Sequence, residues 1–103
     1  PEKGFDCSGF VHYSLKTVGV SVGRLSAQGF SQVSQWALVE RYEDLQRGDL
    51  VFFRKEGSSS IGHTGIYLGS GSFVHASSSQ GKVVVSTWSS WCRTYFSHGR
   101  RVF

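Results

Sequence analysis

The chain reads as one α+β domain, with helices first and an antiparallel sheet after them. Three observations predict this. Apolar residues keep a helical spacing only before Leu45. From Leu45 onward they gather into short extended runs separated by turn residues. The length of 103 residues suits a single domain. Helices segregated from an antiparallel meander define the α+β class. The composition is 39% hydrophobic and 15% aromatic against 17% charged, which is the profile of a folded chain. A domain of this size buries roughly 60–70% of the surface its unfolded chain exposes, so its core needs no metal or disulfide staple.

The first helix is expected from the segment CSGFVHYSLKTVGV, which follows Asp6. Phe10, Val11, Leu15 and Val18 keep a helical spacing, Asp6 suits the N-cap, and Gly19 and Gly23 mark the exit. A second helix is expected within Leu25 to Leu38, where Ala27, Phe30, Val33 and Trp36 recur at three-residue steps among serines and a glycine. The run Leu45 to Asp49 supplies a turn and Leu50 to Phe53 a buried strand. Gly57 to Ser60 is a flexible loop. Thr64 to Leu68 and Phe73 to Ala76 are strands joined by the hairpin turn Gly69-Ser70-Gly71. After the loop Ser77 to Gly81, the β-branched run Lys82 to Thr87 is a further strand. No internal repeat is visible.

The net charge is +4, from 11 basic and 7 acidic residues. A basic balance favours anionic surroundings. The basic residues form no long run, however, and no nucleic-acid-binding motif accompanies them, so nucleic acid is not an expected partner. No stretch approaches the ~20 apolar residues of a membrane span, and membrane insertion is not expected. The opening PEKGFDCSGF lacks the charged start and apolar run of a signal peptide. It reaches the most informative motif so abruptly that the chain is expected to be part of a longer protein.

Cys7 falls at the start of the first expected helix. Unpaired N–H groups and the helix dipole there favour an anion, which lowers a thiol pKa. Gly9 keeps the turn slim, and the N–H of Cys7 can donate to an oxyanion. A thiolate nucleophile needs a proton-transfer partner, usually histidine. Of His12, His63, His75 and His98, the first lies five residues after Cys7, about 500° around a helix, and points away. His63 opens HTGIYLG and His75 lies in FVHAS on the neighbouring strand. Paired strands about 4.8 Å apart let two histidines on one face hydrogen-bond, one as base and the other as its orienter. Three other readings stay open on the residues alone. Cys7 can be a small buried apolar residue, it can pair with Cys92 in a disulfide, or Cys7, His63, His75 and Cys92 can ligate zinc without any C-x-x-C or H-x-x-x-H spacing.

Three blocks taken together resemble the NlpC family of cell-wall cysteine peptidases. They are Phe5-Asp6-Cys7-Ser8-Gly9-Phe10-Val11, then Gly48-Asp49-Leu50-Val51-Phe52-Phe53 followed by His63-Thr64-Gly65-Ile66-Tyr67-Leu68-Gly69, then Phe73-Val74-His75-Ala76-Ser77. The tail Gly99-Arg100-Arg101-Val102 is similar to the family's closing strand. The resemblance spans nearly the whole chain in the family's order. It implies a reduced papain-like fold in which the N-terminal helix carries the nucleophile and packs on the antiparallel sheet. It also implies Cys7 as nucleophile, His63 as general base and His75 as the polar orienting residue. Asp6 and Ser8 match positions that hold the substrate's free amino end, and Arg24 and Ser26 loosely resemble a substrate-side element.

The implied activity is cleavage of peptidoglycan stem peptides, commonly between γ-D-glutamate and the diamino acid, without metal or cofactor. The implied setting is the secreted or cell-wall side of a bacterium, with residues 1–103 acting as a monomeric catalytic domain attached to others. A related thiol amidase or acyl transferase, and a non-catalytic wall-binding module, are the alternatives. Three departures stand out. Residues 1–103 are expected to lack the family's upstream segment with a tyrosine and a Gly-Gly pair, Gly62 stands where a small polar residue is common, and Thr64 stands where an aliphatic residue is usual.

Overall fold

The computed structural model describes residues 7–20, 23–77 and 82–102. The expected N-cap Asp6 lies outside them. The first helix, α1, spans Cys7–Thr17. Val11 and Leu15 are buried on its inner side, while Tyr13 is exposed. Gly19 ends it as expected, at φ +87°, a conformation that costs a residue without Cβ little. The N–H of Val20 then donates to the Leu15 carbonyl and that of Gly19 to Lys16, which satisfies two of the helix's free carbonyls. Val20 also folds back onto the core beside Leu15.

The second helix is shorter than the sequence spacing suggests. α2 covers only Ala27–Ser31, with Ser26 as its N-cap. Ala27 and Phe30 are buried in it. Trp36 reaches the same core from a turn, and its ring stacks on Phe30 at 6.3 Å. The three-residue spacing therefore records burial against one surface rather than continuous helix. Gly29 and the serines weaken the helix, and the residues after Trp36 form an edge strand instead, β1, at Ala37–Val39.

Five more strands follow: β2 Leu50–Arg54, β3 Ile61–Gly69, β4 Ser72–Ser77, β5 Lys82–Thr87 and β6 Phe96–Arg101. A short helix, α3, at Ser90–Tyr95 joins the last two. Among the described residues the strands form one antiparallel sheet in the order β1-β6-β2-β3-β4-β5. The expected meander runs from β2 to β5. β6 returns to the other side of β2, so β2 is central, and the sequence reading did not place β1 or α3. The hairpin between β3 and β4 turns at Ser70 and Gly71, both at positive φ, as a two-residue turn of matching twist requires.

Because strand residues alternate faces, the sheet has a core on each side. Leu50 and Phe52 pack with Val11, Leu15, Ala27, Phe30 and Ile61 under the first two helices. Val51 and Phe53 pack on the other side with Phe73, Cys92 and Phe96. Thr64 is fully buried, and its hydroxyl donates to the Val51 carbonyl at 2.9 Å. The polar departure at this position thus carries its own partner. Buried Asp49 accepts from Arg101 Nε at 2.9 Å, from Arg101 Nη2 at 2.8 Å and from the Gln46 N–H at 2.8 Å, which ties the turn before β2 to the end of β6.

β3 and β4 approach closely at Gly65. A Cβ placed there would lie 2.7 Å from the Val74 carbonyl oxygen and 3.0 Å from His75 Cβ. Gly65→Ala is expected to lower the unfolding free energy in a urea titration by about 1–3 kcal/mol. An unchanged midpoint would show that the two strands spread freely.

Candidate active site

Cys7 is the first residue of α1, half-buried and packed at the rim of the core that holds Val11 and Leu15. The helix it begins lies against β3 and β4. Those strands carry the two expected histidines, and the structure brings these together: His63 Nε2 and His75 Nδ1 are 2.7 Å apart with their rings nearly perpendicular. His63 lies within β3 rather than opening it, because the strand starts earlier, at Ile61. His63 stands opposite Phe53 in the β2–β3 ladder and stacks on its ring. His75 stacks on Phe73 at 4.5 Å. The imidazoles are thus seated on aromatic side chains of the second core.

The chain of contacts continues. His75 Nε2 lies 2.8 Å from the hydroxyl of Ser86 on β5. The sequence reading did not find Ser86, because the loop between β4 and β5 leaves their register unspecified until the strands are seen paired. The register sets His75 opposite Val84 and Phe73 opposite Ser86, so Ser86 is the diagonal same-face neighbour of His75. These three side chains border a cavity of about 450 Å³, whose wall also includes Ser89 and Trp91.

The expected substrate-side residues divide. Ser8 is buried, and its hydroxyl accepts from Arg24 Nη1 at 2.9 Å, so these two are brought together. Ser26 accepts from the Gly29 N–H at 3.0 Å as the cap of α2. Asp6 lies outside the described residues.

The other readings of the cysteines and histidines are also placed. Cys7 and Cys92 are both free thiols. They belong to opposite faces of the sheet, with Cys92 2% exposed in the second core. Among the described residues no group of three or more His, Cys, Asp or Glu side chains is arranged for a metal ion. His98 joins β6 to α2, with Nε2 at 2.8 Å from the Ser31 carbonyl.

Burial, reinforced by the neighbouring His75, pushes the His63 pKa down from 6.5 to about 4. Burial lowers that of His75 as well. At neutral pH both rings are therefore neutral unless an anion stands beside them. Neutral His63 can accept a proton at the nitrogen that His75 does not occupy. A half-buried thiol at a helix start and a desolvated, hydrogen-bonded imidazole pair together suit nucleophilic acyl transfer.

Comparison with known proteins identifies the class. The model of the NlpC/P60 family matches residues 1–100, and the chain belongs to that family. Its fold is accordingly the papain-like α+β arrangement, with helices packed on an antiparallel sheet. The chain is 37% identical over 105 aligned positions to the murein DD-endopeptidase MepH of Escherichia coli, an alignment covering 99% of this chain and 38% of that protein. It is 39% identical over 74 positions to a γ-D-glutamyl-L-lysine dipeptidyl-peptidase of Bacillus cereus, covering 71% of this chain and 21% of the relative. The solved structure of the peptidoglycan hydrolase RipB from Mycobacterium tuberculosis superposes with a TM-score of 0.73 at 34% identity, over 96% of this chain and 45% of that one. The chain thus spans about half or less of the length of these relatives.

The lowered pKa of His63 makes stability pH-dependent. A histidine held neutral by the fold contributes fully above its unfolded value of 6.5, and that contribution fades as pH falls towards about 4. The loss by pH 4 is about 3 kcal/mol. In a Cys7→Ala background, where no thiolate bears on the ring, adding His63→Gln is expected to flatten the stability profile across this window in urea titrations. Parallel profiles with and without His63 would refute the assignment.

Proposed function

We propose that this chain is the catalytic domain of a cysteine endopeptidase that hydrolyses peptidoglycan stem peptides. The observation that carries the reading is the hydrogen-bonded His63–His75 pair on the two strands against which the Cys7 helix packs. The names of its relatives support the wall peptide as substrate. The bond we assign is that between γ-D-glutamate and the diamino acid, after the B. cereus relative. A substrate of this kind places the domain on the outer side of the membrane. Among the described residues no helix is long and apolar enough to cross one. Residues 1–103 would act as a single monomeric catalytic unit within a longer protein.

In the proposed mechanism Cys7 gives its proton to Nδ1 of His63 and attacks the scissile carbonyl as thiolate. The new C–S bond forms a tetrahedral oxyanion, for which the backbone N–H groups at the start of α1 are suitable donors. His63 returns the proton to the leaving amine as the C–N bond breaks, and a thioester remains. Water then gives a proton to His63 as its oxygen attacks the thioester. The C–S bond breaks, His63 passes that proton to the Cys7 sulfur, and the acid product leaves as a carboxylate after losing its own proton to solvent. His75 fixes the ring through Nε2, which leaves Nδ1 for these transfers. Ser8, held by Arg24, and Asp6 would receive the amino end of the stem peptide. Ser26 would act through the placement of α2.

Three measurements test this. Cys7→Ala should abolish hydrolysis of defined muropeptides with the fold retained, and His63→Ala should cost about 10²–10⁴-fold, with a smaller loss for His75→Ala. Mass spectrometry of the products identifies the bond: cleavage only at D,D cross-links would overturn the γ-D-glutamyl assignment, and turnover by Cys7→Ala would overturn the mechanism. Iodoacetamide should label Cys7 well below the model thiol pKa of ~8.5 while buried Cys92 stays unlabelled.

A further inference from the structure

We propose that Ser86 is a fourth, positioning member of the catalytic constellation, acting through His75 to fix the proton order that His63 needs. The inference rests on the reading of Cys7, His63 and His75 given above. Proton counting along the chain of contacts leads to it. His63 Nε2 faces His75 Nδ1 at 2.7 Å, and only one proton can lie between two ring nitrogens. For His63 to take a proton from Cys7 at Nδ1, that nitrogen must start bare. In the neutral ring the proton then sits on Nε2 and is donated to His75 Nδ1. When His63 becomes an imidazolium it still donates from Nε2, so His75 Nδ1 must accept throughout. Neutral His75 therefore carries its own proton on Nε2, and the atom facing Nε2 is Ser86 Oγ at 2.8 Å.

Ser86 is thus the acceptor at the outer end of a chain whose donors all point away from Cys7. The reverse order, with Ser86 donating inward, would put a proton on His63 Nδ1 in the neutral ring and leave no base for the thiol. A hydroxyl is suited to the outer position. It can accept from a neutral imidazole without the full charge a carboxylate would bring to a half-buried site.

The placement is built into the sheet. Ser86 lies two residues beyond Val84, the ladder partner of His75, so both side chains share a face. Phe73, opposite Ser86, lies beneath the His75 ring at an interplanar angle of 20°, which restricts its tilt. The base, its orienter and the hydroxyl therefore come from three successive strands of one antiparallel meander, at positions set by register alone.

The test combines NMR of the imidazole nitrogens with steady-state kinetics on defined muropeptides. In the wild-type chain at neutral pH, His75 should show a protonated Nε2 and a bare Nδ1. The opposite tautomer would overturn the proposal whatever the mutants do. Ser86→Ala should lower kcat about tenfold, the value of roughly one hydrogen bond. KM should stay within about twofold because Ser86 acts on the base and not on substrate affinity. Ser86→Thr, which keeps the hydroxyl, should restore kcat. Wild-type kcat in the alanine variant, or equal losses for alanine and threonine, would overturn the role. Cys7→Ala is run in parallel: turnover there would remove the underlying mechanism, whereas an inactive Cys7→Ala beside a fully active Ser86→Ala would remove only the part given to Ser86.

Discussion

The central strand β2 is the constraint from which the rest of the domain takes its position. Leu50, Val51, Phe52 and Phe53 are all essentially inaccessible to solvent, although alternate side chains face opposite ways. Such a run is stable only where both faces of a strand are covered. It therefore demands α1 and α2 on one side and the aromatic cluster of Phe73, Trp88 and Phe96 on the other. It also demands neighbours on both edges, which β3 and β6 supply. The link between Asp49 and Arg101 fixes the start of β2 against the end of β6.

The candidate site inherits its geometry from that strand. Phe53 sets the seat of His63, both as ladder partner and as stacked ring. His75 takes its place from β3 through the narrow approach at Gly65, where no side chain separates the strands. Partial burial on this aromatic bed lowers the pKa of both imidazoles and so favours their neutral forms. Cys7, in contrast, packs with the core on the opposite face. The two halves of the proposed machinery thus pack against different cores, and the packing of α1 on β3 and β4 sets their relation.

Much of this was legible in the sequence wherever a local pattern and its structural cause coincide. The helix from Cys7 carries its apolar face and its glycine exit in consecutive residues, and β5 runs from Lys82 to Thr87 as expected because its β-branched run has clear ends. The pairing of His63 with His75 could be anticipated because a tight hairpin turn fixes the register between their strands. Features set by distant partners were not legible. The segment from Leu25 to Leu38 looked helical because Trp36 packs on Phe30, a contact that is tertiary in origin. β1 exists as a strand only because β6 returns beside it. Ser86 reads as an ordinary strand serine until the β4–β5 register places it next to His75.

The same distinction explains how the parts of such a site can differ in tolerance to change. A residue placed by hairpin register keeps its position as long as the turn and the alternation survive, whatever the identity of its exposed neighbours. Val83 and Val85, on the opposite face of β5 from Ser86, are 38% and 64% exposed. Ser86 is held by the ladder with β4 and by its contact with His75. The outermost strand of the meander is therefore fastened partly by the proton chain that it completes. The register of β5 on β4 therefore decides where the proposed proton chain ends, just as the β3–β4 hairpin decides where it begins.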